Sequence, residues 1–384
     1  MKIIYSAFLS LLMTIMIVDS AEAQKPKPPR GFVYVSGGSI LVPNAENWEK
    51  TPADSLLLSY DRPARITIQS AIISKYEVTN KEYRQFVQWV IDSIGLTAMA
   101  QQDPSFYSNA STRSLNWKRV KDINKQVHPA YAADNNRTFG KNELNITLLQ
   151  YKWADGSGEV AVYPDTLCWV RDFPNLFHEP LTKYYFLHKA FDDYPVLGVS
   201  WYQAKAYADW KSRQGDYVYR LPYELELMLA YHDSNAERTG TFYFPWTEPF
   251  LTDRKGAYLA NFGKLSDLNN CWSKGYAEFA DNRSEIDNGF YPTKVGCFPA
   301  NEWGIYDLAG NVAEWTLTET GLESPHAISH DLNPETPATT LPRRIVKGGS
   351  WAQGPVYMAI STAMAVLPET QSAMIGFRLA VTSR

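Results

Sequence analysis

"SWYQAKAYADWKSRQG" (residues 200–215) and, four residues on, "RLPYELELMLAYHD" (220–233) set the class of fold. Ser200 and Gln203 stand at capping-box spacing and Gly215 closes the run, so the first stretch reads as a helix. In the second, Pro222 sits at a first-turn position and Glu224 and Glu226 face the positive end of the helix dipole. Leu225, Met228, Leu229 and His232 fall on one stripe. Upstream, "TNKEYRQFVQWVIDSI" (79–94) begins at a Thr79/Asn80 cap and places Tyr83, Phe86, Val87, Val90 and Ile91 on one face. Strand signals flank these helices. "GFVYVSGGSILVP" (31–43) alternates around a Gly-Gly pair and reads as a hairpin, and "ARITIQSAIISKYEVT" (64–79) continues the β-branched pattern. Beyond residue 240 short strands and turns dominate. The pattern is α+β. A polar stretch over about 95–160 carries few periodic signals and reads as an insertion with little regular structure, long enough to imply a function.

The chain has 384 residues, 12 Trp, 24 Tyr and 17 Phe, a composition suited to an ordered domain with loops anchored by large side chains. Its net charge of −4 argues against a nucleic-acid partner, which requires a basic face. Lys2, the apolar run Ile3–Val18 and "SAEAQ" read as a secretory signal cleaved after Ala23, and "QKPKPPR" (24–30) as a Pro-rich tether. A single domain follows over 31–384. No Cys lies near the cleavage site to carry a lipid, so the expected product is exported and periplasmic, with outer-membrane association reached indirectly. Of the three cysteines, Cys271 and Cys297 are neighbours suited to a disulfide, while Cys168 is left over; buried free thiols are the alternative for each.

Five stretches in order, "YVSGGSILV", "KYEVTNKEYRQFV", "YPVLGVSWYQAKAYADW…YRLPYELELMLA", "WGIYDLAGNVAEW" and "IVKGGSWA…IGFRLA", resemble the formylglycine-generating-enzyme/sulfatase-modifying-factor family. The resemblance implies an elaborated C-type-lectin-like fold. Residues 163–201 look narrower still, like the insertion of GldK/GldJ/PorK-type gliding-motility and type IX secretion proteins, and the family-specific insertion then spans about 95–195. That likeness implies a structural component of a secretion and motility assembly, a GldN-type partner, and peptidoglycan or outer membrane contacted only through partners. Those relatives carry a lipidated Cys, which this chain lacks.

In the enzymes two Cys thiolates after the "GGS" motif bind Cu(I), because a soft ion prefers sulfur. Counted from Ser350, those positions hold Gln353 and Met358, so no copper and no oxidase chemistry are expected. The family resemblance assigns one calcium site to Asp307, Gly310, Val312 and Glu314, and a second to Asn261, Phe262, Asn288 and Phe290. Asn288 there replaces an acid, which weakens the site. His326 and His330 have i, i+4 spacing but sit between Pro325 and Pro334 with no third ligand. The aromatic runs 183–191 and 243–250 read as core, with carbohydrate-stacking platforms or partner hot spots as the alternatives. Three functions remain: a non-catalytic assembly component, a formylglycine-generating or related oxidase, and a lectin-like glycan binder.

Overall fold

The computed structural model describes residues 27–42, 64–109, 111–123, 128–131, 143–153, 156–176, 178–231, 244–246, 251–263, 291–319, 342–360 and 362–382. The signal segment, Cys271, Asn288, Phe290, His232, His326 and His330 lie outside them.

Strands β1 (Phe32–Val35) and β2 (Gly38–Val42) lie end to end, as do β3 (Ala64–Ile68) and β4 (Ala71–Ser74). β1 pairs antiparallel with β4, Phe32 opposite Ser74, and β2 with β3, Val42 opposite Ala64, in one unbroken register. The hairpin expected at Gly37–Gly38 is therefore corrected: the strands are as read, but they pair with β3 and β4 rather than with each other. A Cβ on Gly37 would lie 2.7 Å from Ser70 N and 2.8 Å from Ile68 O. The glycine thus serves a close crossing of two chains and not a turn.

Helix α1 (Asn80–Gln102) starts at Thr79, whose side chain accepts from Glu82 N in a full capping box. Tyr83, Phe86, Val87, Val90 and Ile91 are all buried, as the periodicity required. The helix runs past Ile94 into the stretch read as irregular. Gly95 permits this, because the His128 imidazole fills the space a side chain there would need. The insertion holds more regular structure than expected. It contains the hairpins β5 (Tyr107–Asn109) with β6 (Ser114–Leu115) and β7 (Gln150–Lys152) with β8 (Glu159–Ala161), and the short helices α2 (Cys168–Asp172) and α3 (Pro180–Tyr184). Phe106, Leu149, Tyr151, Trp169, Tyr185 and Phe186 bury it against the body, whereas Tyr184 and Leu187 of the same aromatic run stay exposed.

Helix α4 (Trp201–Ser212) shows the Ser200/Gln203 capping box but ends on Arg213, before Gly215. After β9 (Val218–Arg220), α5 (Glu224–Tyr231) buries Leu227, Met228, Leu229, Ala230 and Tyr231. That nearly all-round burial replaces the single expected stripe. The chain closes with β10 (Ala313–Glu319), β11 (Arg344–Lys347), β12 (Met364–Val366), β13 (Ile375–Gly376) and β14 (Ala380–Thr382). Two four-stranded sheets result, β1-β4-β14-β9 and β12-β11-β10-β13. α1 packs on α4 through Tyr83 and Tyr207, stacked at 5.6 Å, and both rings meet Phe377. Truncating one such buried ring to Ala costs about 3–5 kcal/mol. Among the described residues no helix is long and apolar enough to cross a membrane.

Candidate functional site

Three loops meet beneath the second sheet: 261–263, 307–314 and the "GGS" turn after β11. Gly310 N donates to Gly348 O, Asn311 N to Asn261 O, Trp351 N to Asn311 O and Gly263 N to Gln353 O, at 2.8–2.9 Å. Asp307 and Asn311 adopt φ of 52° and 59° and Gly310 one of 79°. A side chain on Gly310 would collide with the Asn261 carbonyl, so this turn requires glycine twice over.

At the "GGS" turn, Lys347 is buried and donates to the carbonyls of Ile360 and Thr362 at 2.5 and 2.8 Å. Burial lowers its pKa to about 8, with Glu224 at 3.9 Å opposing the shift. Gly349, also left-handed, lets the backbone of Tyr357 and Met358 press directly on the turn. Gln353 is held on both sides: Ser350 Oγ donates to its Oε1 at 3.1 Å, and its Nε2 donates to Met364 Sδ at 3.1 Å. Ser350 and Met358 are 0% exposed and Gln353 6%. The side chains of Ser350, Gln353 and Met358 are thus packed into the interior at this turn.

The cysteines do not compensate. Cys168 is buried and Cys297 is an exposed rather than a buried free thiol, while Cys271, the partner expected for Cys297, lies outside the described residues. Burial first, then Asp172 and Asp165, pushes the Cys168 thiol well above its usual range. Burial likewise raises that of Cys297. Neither residue is a poised nucleophile.

Beside this neutral pocket lies a charged one. Glu314, opposite Lys347 in the β10–β11 ladder, turns both oxygens onto Arg378 at 2.7–2.9 Å. Arg378 also donates to the carbonyls of Ser74, Tyr306 and Asp307. Asp307 Oδ2 accepts from Gly296 N at 2.5 Å, and Glu77 Oε1 from Asn311 Nδ2 at 2.9 Å. Glu77 and Asp307 are near enough to shift each other's ionisation. Yet Glu77 Oε2, Asp307 Oδ1 and Asn261 Oδ1, all buried, receive no hydrogen bond. Burial foremost, then Asp307, pushes the Glu77 carboxyl well above its usual range, and burial raises Asp307 to about 6. Burial raises Glu314 also, against the pull of Arg378. Three buried acids share one guanidinium, an imbalance that a proton or a cation would relieve.

The orphaned oxygens of Asp307 and Asn261 fit a hard cation. Glu314 fits it less well, because Arg378 engages its whole carboxylate. Val312 is buried in the same turn and Phe262 beside Asn261. Asn288 and Phe290 lie outside the described residues. Among those described, no group of three or more His, Cys, Asp or Glu is arranged to hold a metal. Glu77, Asn311 and Arg378 were missed from sequence. The signal for two of them was a charge inside an apolar run, "YEV" and "GFRLA".

A family model described as "Sulfatase-modifying factor enzyme 1-like domain" matches residues 18–383. The formylglycine-generating enzyme of Bos taurus is 28% identical over 366 residues, 94% of this chain and 77% of that protein. The bovine "Inactive C-alpha-formylglycine-generating enzyme 2" is 29% identical over 194 residues, 49% of this chain and 50% of its own length, so the chain spans about half of that relative. The formylglycine-generating enzyme of Mycobacterium tuberculosis is 26% identical over 82% of this chain and 88% of its own. Among solved structures, PvdO from Pseudomonas aeruginosa aligns at 18% identity and a TM-score of 0.43 over 92% of this chain and 94% of its own.

Proposed function

The chain belongs to the sulfatase-modifying factor enzyme 1-like domain family, with the α+β fold of the formylglycine-generating enzymes, and from that premise we propose that it is a non-catalytic interaction protein. The observation that carries this reading is the packing at that turn. Counted from Ser350, Gln353 and Met358 fall where the family resemblance puts the thiolates; both are buried, and the amide of Gln353 is satisfied by Ser350 and Met364. A hydrogen-bonded amide offers neither the charge nor the softness that Cu(I) selects. The assembly it serves is, on the likeness of residues 163–201 to GldK/GldJ/PorK-type proteins, an exported secretion and gliding-motility complex with a GldN-type partner. The test is affinity capture from periplasmic extract: recovery of secretion or motility components supports the role, and their absence defeats it.

The competing reading is a formylglycine-generating oxidase, favoured by the names of the relatives that align over most of the chain. Incubation with Cu(I) and a cysteine-bearing peptide separates the two. The scaffold reading expects no aldehyde, and turnover would overturn it.

Calcium enters as a structural ion. Asp307 would supply one oxygen of the first site together with the Gly310 and Val312 carbonyls, and Asn261 one oxygen of the second. An ion at about 100 times its dissociation constant adds about 2.7 kcal/mol to stability. Asp307→Asn should abolish the rise in melting temperature that calcium produces, and an undiminished rise would remove Asp307 from the site.

A further inference from the structure

A cavity of about 590 Å³ opens where the segment entering β1 crosses the end of α4 and the start of α1, away from the "GGS" turn. Its volume lies in the range of small-ligand and side-chain pockets. Three cations line it, Lys27, Arg30 and Lys211, and among the described residues none of them takes part in an ion pair. Lys211 is held in place: its Nζ lies 5.7 Å from the ring centre of Tyr207 and 5.5 Å from that of Tyr219. Cation–π contact of this kind orients an ammonium without neutralising it. Tyr76 and Tyr217 add partly exposed aromatic wall.

Two acids line the hollow against these three cations, and both are engaged elsewhere by hydrogen bonds. Glu82 spends its Oε2 on the backbone N and the hydroxyl of Thr79, both at 3.0 Å, as part of the helix cap. Glu77 is 1% exposed and directs Oε1 to Asn311, on the side of Arg378. A chain of net charge −4 thus sets three cations against two acids, one of them turned toward Arg378, around one aromatic-walled hollow. Such a hollow pairs carboxylates with the cations and lays aliphatic carbon on the tyrosine faces.

We propose that this cavity is the docking site for an acidic polypeptide segment of a partner protein, a proposal that rests on the interaction reading above. The partner's carboxylates meet Lys27, Arg30 and Lys211, and its intervening apolar side chains lie on Tyr217 and Tyr219.

The test uses the full exported chain and a fluorescein-labelled peptide of alternating Glu and Leu, followed by fluorescence anisotropy. Saturable binding is expected, weakened about tenfold or more when Gln replaces Glu in the peptide. Raising salt from about 0.05 to 0.5 M should weaken it as well. Arg30→Glu with Lys211→Glu should weaken binding at least about tenfold, and Lys189→Glu, on the surface of the insertion, should leave it unchanged. Should the double reversal unfold the chain, the neutral pair Arg30→Gln and Lys211→Gln carries the same expectation. No binding, indifference to the double variant, or equal competition by free glutamate would overturn the proposal. Partner capture that survives charge reversal would overturn the cavity and leave the interaction reading standing. Peptide binding with no partner captured from extract would do the reverse.

Discussion

The Gln353 pocket and the Arg378 cluster are neighbours joined by one loop, and they solve burial in opposite ways. The amide of Gln353 is bonded at both ends, and its partners, Ser350 and Met364, are neutral. Around Arg378, Glu77, Asp307 and Glu314 outnumber the guanidinium, and two carboxylate oxygens stay without a donor. A satisfied neutral pocket is a filler that stabilises one conformation. A charged and incompletely satisfied one holds free energy that a proton or an ion can release.

The largest break in that contrast should come from Arg378→Met, which leaves three buried acids without a counter-charge. Thermal or urea denaturation should show a loss of about 3–5 kcal/mol, and a loss below about 1 would mean the acids are already neutral. Gly310→Ala comes next. It forces a left-handed φ on a residue with a Cβ and drives that Cβ into Asn261, for at least about 1–3 kcal/mol. Asp307 then supplies the pH signature. Its folded value of about 6 exceeds the ordinary 3.8, so between those two pH values the native state binds the extra proton. The contribution of Asp307 to stability in chelator should fall as pH rises through that window and level off above it, whereas that of Glu77, whose carboxyl is raised as well, continues to fall beyond it. Asp307→Asn should flatten the fall, and a slope unchanged in the variant would place the proton elsewhere. Gln353→Leu is the smallest change, about 1 kcal/mol by denaturation, since it removes two neutral hydrogen bonds and keeps the volume. A cost equal to that of Arg378→Met would erase the distinction between the two pockets.

What could be read in advance follows the range of the forces involved. The Thr79 and Ser200 caps and the buried face of α1 are local, set by residues three and four apart, and the structure reproduces them. The pairing of β1 and β2 was not readable, because Gly37–Gly38 matches a turn sequence locally and only contact with Ser70 across the ribbon shows its other use. The extension of α1 past Gly95 depends on His128, which comes from more than thirty residues away. The acid positions 307 and 314 were legible as a motif. That Arg378 claims Glu314, and that Glu77 joins Asp307, depends on segments from opposite ends of the chain meeting at β4, β10 and β14.

β4 has the first strand on one side and the last on the other, both antiparallel to it, so β1 and β14 run in the same direction. A pull between the stretch feeding into β1 and the stretch leaving β14 would slide these strands lengthwise, straining all their ladder bonds at once instead of peeling them singly. A load applied along that axis would therefore be shared across the whole β1-β4-β14 ribbon.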